Sequence, residues 1–146
     1  MNYYTEIQLI NQSKLNVRLK SHEDVHGRLK VWDNPVIGPG AWYSYTAIDP
    51  KGELYGSEGS VTFCDDEART SFTIRYCCSF GPGGNYCFFI EASPILDVTL
   101  RFDNEAPPSN ATKNWGKPTV PKDGRPLGVL VYVEQRPIKQ SLKILT

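Results

Sequence analysis

Gly56-Ser57-Glu58-Gly59-Ser60-Val61-Thr62-Phe63, followed by Ser71-Phe72-Thr73-Ile74-Arg75-Tyr76-Cys77-Cys78-Ser79-Phe80-Gly81-Pro82-Gly83-Gly84-Asn85-Tyr86-Cys87, is the stretch on which the reading of this chain turns. It contains a glycine-bounded strand, a polar turn, a second strand and then a glycine-rich loop edged with aromatic residues, the pattern of a rigid hairpin ending in an aromatic tip. The remaining strands are then the scaffold that holds this tip.

Working outward, Tyr3 to Ile10 and Leu15 to Lys20 both alternate apolar and polar residues with period two, and Asn11-Gln12-Ser13-Lys14 between them reads as a hairpin turn. A short strand carrying Leu29 and Val31 follows Gly27, and Trp42 to Ile48 forms another after the Gly38-Pro39-Gly40 turn. Beyond the central hairpin, Tyr86 to Ala92 and Leu96 to Asp103 read as a further pair broken by Ser93-Pro94. Residues 104 to 126 collect five prolines and read as a long irregular excursion, before Leu127 to Glu134 resumes the alternation. No segment longer than two turns has helical spacing. About nine short strands punctuated by glycine and proline predict an all-β chain, a single antiparallel β-sandwich spanning 1–137, with 138–146 as a C-terminal tail.

The chain has 146 residues, enough for one domain with a real core, and 16 basic residues balance 16 acidic ones. That balance supplies no field to draw the protein onto nucleic acid, so no nucleic-acid partner is expected. The apolar runs fall far short of the roughly 20 residues that span a bilayer as a helix. Met1 to Glu6 lacks a basic segment followed by an apolar one, so the expectation is a secreted or cytoplasmic protein without a recognisable signal peptide.

The four cysteines are Cys64, Cys77, Cys78 and Cys87. If the hairpin turns about Pro82, Cys77 and Cys87 fall opposite one another, which makes them the candidate disulfide; the alternative is four buried thiols acting as small apolar groups.

Reactive constellations are scarce. The two histidines, His22 and His26, flank Glu23 and Asp24 in an expected loop, and no strained elbow surrounds a serine or cysteine, so no catalytic residues are expected and a hydrolase is disfavoured. Cys77-Cys78 with Cys87 lacks zinc-ligand spacing, and Asp65-Asp66 with Glu67 reads as a solvated turn without the further oxygen ligands that calcium requires. Gly81-Pro82-Gly83-Gly84 lacks the lysine and the following helix of a phosphate loop. Neither a metal nor a cofactor is expected. Asn11-Gln12-Ser13 and Asn110-Ala111-Thr112 match the glycosylation triplet.

What remains is aromatic. The chain carries 3 Trp, 8 Tyr and 6 Phe, several of them at or beside expected loops. Rings with a polar handle suit the membrane–water interface and attract choline-like head groups, although aromatic residues also fill sandwich cores.

In its order of features the chain resembles the aegerolysin family. The matching pieces are Ile7-Gln8-Leu9-Ile10-Asn11-Gln12-Ser13, His26-Gly27-Arg28-Leu29, Gly38-Pro39-Gly40, Gly56-Ser57-Glu58-Gly59-Ser60-Val61, Tyr76-Cys77-Cys78-Ser79-Phe80-Gly81 and a last strand beginning Leu127-Gly128-Val129. The resemblance implies a β-sandwich that docks on sphingolipid-rich or sterol-containing membranes and, in many relatives, serves as the receptor-binding half of a two-component pore with a perforin-like partner. It places the lipid-facing aromatic loops at His26, Phe80 and Tyr86 or Cys87, where relatives commonly carry tryptophan. A second, weaker likeness is to the actinoporins, whose pore is built from an amphipathic N-terminal helix; Met1 to Ile10 is strand-like here. The expected function is therefore a lipid-binding, membrane-targeting cytolysin or toxin component, with head-group residues His26, Trp32, Tyr76, Phe80, Tyr86 and Trp115. The alternative is a carbohydrate- or protein-binding sandwich without lytic activity.

Overall fold

The computed structural model describes residues 3–49, 56–78, 85–102 and 127–136. Nine strands are present among these residues: β1 (Thr5–Asn11), β2 (Val17–His26), β3 (Arg28–Lys30), β4 (Trp42–Ile48), β5 (Ser57–Asp65), β6 (Ser71–Cys78), β7 (Tyr86–Glu91), β8 (Leu96–Phe102) and β9 (Leu127–Gln135). They form a five-stranded sheet of order β3-β4-β1-β9-β8 and a four-stranded sheet of order β2-β5-β6-β7. No helix occurs among the described residues, and the two sheets enclose one apolar core, so the chain is an all-β sandwich.

Each strand owes its place to its alternation, which puts one set of side chains inside and the other outside. Ile7 and Leu9, Val61 and Phe63, Phe72 and Ile74, Val98 and Leu100, and Val129, Val131 and Val133 all point inward and are buried. In the middle, Tyr45 and Phe63 lie with ring centroids 5.6 Å apart, and Phe63 and Phe72 5.4 Å apart. Each fully buried Phe or Leu side chain contributes about 1.5–3 kcal/mol of transfer free energy.

Three sequence expectations about pairing are corrected. β1 and β2 do not form a hairpin but lie in different sheets, because Asn11 turns the corner: it is fully buried, its side-chain amide donates to Leu15 O at 2.7 Å and Ile37 O at 2.9 Å, and Ser13 donates to its Oδ1. β7 and β8 are likewise split between the sheets, joined by a corner in which Ser93 Oγ accepts from Ile95 N and Leu96 N. The sandwich is also not wholly antiparallel, since β1 pairs with β9 in parallel from Thr5↔Leu127 to Asn11↔Val133. The loop expected around His22 and His26 is in fact the outer half of β2.

The β5–β6 hairpin closes as expected, from Ser57↔Cys78 to Cys64↔Ser71. Its turn is not simply solvated. Asp65 is 1% exposed, accepts from Thr70 N at 2.9 Å and Arg69 Nε at 3.0 Å, and so fixes the turn. The 104–126 excursion, the glycine-rich tip and the tail 138–146 lie outside the described residues.

Candidate functional site

At the end of the sandwich where β2 and β6 finish and β5 and β7 begin, the register aligns one residue from each strand across the outer face of the four-stranded sheet. His26 pairs with Glu58, Glu58 with Cys77, and Cys77 with Tyr86. The next row toward the sheet centre runs Ser60, Arg75, Phe88. On one face of a sheet, directly opposite residues and their diagonal neighbours are within reach of long side chains.

Those side chains converge on Glu58. Arg75 Nη2 donates to Glu58 Oε2 at 2.5 Å, Tyr86 Oη donates to the same oxygen at 3.2 Å, and His26 Nε2 lies 3.9 Å from Oε1. The rings of Tyr86 and Phe88 flank the cluster with centroids 5.4 Å apart. Burial pushes the Tyr86 hydroxyl up to about 12, with Cys77 and Glu58 adding to the shift, so it is a neutral donor at physiological pH. Burial also raises the Cys77 thiol, which stays protonated. The hydrogen bond to Glu58 holds the Arg75 guanidinium firmly charged.

A guanidinium offers five N–H groups. Arg75 Nε is buried and meets no acceptor among the described residues. An unmatched buried donor of this kind costs about 1–3 kcal/mol. The site thus combines an anion beside an aromatic ring with a cation that holds one donor, Nε, without an acceptor among the described residues, an arrangement suited to a ligand whose own positive and negative groups lie close together.

Of the expected site residues, the structure brings His26 and Tyr86 together around Glu58. Tyr76 is corrected: it faces inward, is 1% exposed, and its hydroxyl fills the space that a side chain at Gly59 would need, lying 2.8 Å from the position of a Cβ there. Burial raises its hydroxyl strongly. Trp32 is 82% exposed with Lys30 Nζ over its ring at 5.4 Å, but it follows β3 on a segment running along the sandwich edge toward the other end, where Asn34 donates to Leu19 O, and it does not join the row. Phe80 and Trp115 lie outside the described residues.

The expected Cys77–Cys87 bridge is also corrected. All four cysteines are free, and Cys77 faces Tyr86 on the outer side while Cys87 faces Tyr76 in the core, so a strand's two faces separate the two sulfurs.

Glu58 and Arg75 were not among the expected site residues, though a signal for them was present. Once Cys64 is opposed to Ser71, the hairpin register puts Glu58 across from Cys77, with Arg75 the neighbouring residue on the same outward face.

No family model matches the chain, and no curated protein resembles it significantly in sequence. Solved structures do match. IP-1A from Alcaligenes faecalis superposes with TM-score 0.64 at 12% identity, over 92% of both chains. RahU, solved with a TRIS molecule, gives TM-score 0.65 at 13% identity over 92% of this chain and 96% of its own. The lipid-binding protein Nakanori gives 0.64 at 10% identity, over 94% of this chain and 72% of its own. All three are aegerolysin-family proteins, and this chain has the aegerolysin fold.

Proposed function

We propose that this protein binds membrane lipids through the row His26, Glu58, Cys77, Tyr86 with Arg75, and that it is the membrane-targeting component of a cytolytic or toxic system. The observation that carries the reading is Arg75, whose buried Nε meets no acceptor among the described residues although it lies beside a carboxylate that accepts from Arg75 Nη2 and Tyr86 Oη. A lipid phosphate supplies the missing acceptor, and charge-assisted bonds of this type are among the stronger ones. The ammonium end of a zwitterionic head group then lies toward the free lone pairs of Glu58 and the ring of Tyr86. The likeness to a lipid-binding protein, Nakanori, agrees with this assignment.

In this reading the protein acts peripherally at its target membrane, recognises a phosphate-bearing sphingolipid in sterol-containing bilayers, and recruits a perforin-like partner to form the pore. The strands that lead into and out of the segments carrying Phe80 and Trp115 end at this same end of the sandwich, at Cys78, Tyr86, Phe102 and Leu127. These two rings are the candidates for shallow insertion around the head group.

The test is co-sedimentation with liposomes in which sphingomyelin, ceramide phosphoethanolamine, cholesterol and anionic lipids are varied one at a time. Wild type is compared with Arg75→Ala, Phe80→Ala and Trp115→Ala. Loss of one charge-assisted contact of about 1.5–3 kcal/mol weakens lipid binding roughly ten- to a hundredfold in Arg75→Ala. If no mixture sediments the wild type, or if Arg75→Ala binds as well as the wild type, the assignment fails.

A further inference from the structure

The outer face of the other sheet carries a second constellation. In register across its strands lie Trp42 on β4, Ile10 on β1, Tyr132 on β9 and Thr99 on β8. The adjacent row reads Ser44, Gln8, Leu130 and Arg101. Trp42 is 61% exposed although it belongs to a strand, and Tyr132 is braced by Arg101, whose guanidinium carbon lies 5.7 Å from the ring centre. Arg101 Nε is buried and meets no acceptor among the described residues.

We infer that this face is a carbohydrate-binding platform for an extended, neutral, equatorially linked oligosaccharide, separate from the lipid site. Trp42 and Tyr132 stand two strands apart, roughly 10 Å at about 4.8 Å per strand step. That is the length of one disaccharide unit of a flat β-1,4-linked chain, so the two aromatic residues meet equivalent sugars. The C–H face of a pyranose is apolar and slightly positive, and it stacks on the negative face of an aromatic ring. Gln8, Ser44, Thr99 and Arg101 lie beside this track on the same face and supply the mixed donors and acceptors that ring hydroxyls require.

A bilayer is the less suitable occupant of this face. Beyond the aromatic row Asp97 and Glu134 oppose each other directly, and two adjacent carboxylates repel an anionic membrane but accept hydrogen bonds from hydroxyls. Because the platform and the lipid site are on opposite outer faces of the sandwich, with about 10 Å of core between the sheets, both ligands fit at once.

The experiment titrates the full chain with cellohexaose and chitohexaose, following tryptophan fluorescence and calorimetry, with maltohexaose as a curled control. The variants are Trp42→Ala, Tyr132→Ala and, for the lipid site, Arg75→Ala, each checked for an unchanged melting curve. The expected result is saturable binding of the flat chains, weakened about tenfold or more in Trp42→Ala. Arg75→Ala retains the oligosaccharide binding, and Trp42→Ala retains liposome binding. Absence of oligosaccharide binding by the wild type, or binding unchanged in both Trp42→Ala and Tyr132→Ala, overturns the inference. A fall in liposome binding in Trp42→Ala without any oligosaccharide binding assigns the face to the membrane and overturns it as well. These outcomes are independent of whether Arg75→Ala abolishes lipid binding.

Discussion

Replacing Gly56 by alanine tests how tightly the strands close at the head-group end. Gly56 leads into β5 with φ +78°, and a Cβ there would lie 2.0 Å from the carbonyl oxygen of Cys78. That oxygen belongs to the last residue of β6, paired with Ser57, so relief requires opening the end of the β5–β6 ladder. Gly40 provides the control, since its φ is +81° and a Cβ would meet nothing within 4 Å. Both variants carry the same left-handed penalty of about 1–2 kcal/mol. Both also gain about 0.4–1 kcal/mol from a stiffer unfolded chain. The difference between them is therefore the clash alone, about 1–3 kcal/mol by analogy with overpacked cores. For a chain near this size that corresponds to a melting point lower by roughly 2–12 °C in Gly56→Ala than in Gly40→Ala. Thermal unfolding followed by circular dichroism, repeated as a urea titration, measures it. Gly56→Ala melting within error of Gly40→Ala would refute the close approach, and with it the placement of Glu58 two residues further on.

Tyr76→Ala removes a fully buried ring and costs about 3–5 kcal/mol in chemical denaturation, whereas Tyr76→Phe leaves lipid binding intact; selective loss of binding in Tyr76→Phe would place the hydroxyl in the site after all. Thiol titration of unreduced, denatured protein is expected to count all four cysteines, and reductant to leave the melting point unchanged; a count of two would restore a disulfide. Although burial alone would raise the Asp65 carboxyl, the backbone and side-chain hydrogen bonds from Thr70 and Arg69 hold it below the usual carboxylate range. Its contribution is fully present above the unfolded value near about 3.9 and is lost as pH falls through the lower folded value. Asp65→Asn therefore loses roughly 1.5–3 kcal/mol at neutral pH, and the gap to wild type narrows toward pH 3; a gap independent of pH would show that the charge is not what stabilises the turn.

Much of this architecture is legible in the sequence because it is encoded locally. Period-two alternation locates eight of the nine strands within a few residues, and the first half of β2, and states which side chains share a face. It already groups Tyr76 with Phe72 and Ile74, and Arg75 with Thr73 and Cys77, so the inward tyrosine and the outward arginine were available to a stricter reading of the pattern. The β5–β6 hairpin is equally local, its register following from one short turn.

What alternation cannot state is which strand lies beside which. The assignment of β1 and β2 to different sheets depends on the buried amide of Asn11 reaching Ile37, 26 residues away, and the same burial removes Asn11 as a glycosylation acceptor in the folded chain. The parallel pairing of β1 with β9 joins segments more than 100 residues apart, a contact no local pattern announces. The two outward constellations have the same origin. Glu58 meets Tyr86 only through β6 between them, and Trp42 aligns with Tyr132 only through β1. The sequence alone determined the strands and their inner and outer faces, because each follows from the backbone geometry of neighbouring residues. Tertiary structure alone decided the neighbours, because strand order is settled by the joint packing of distant segments into one core and by the buried polar groups that must find their partners there.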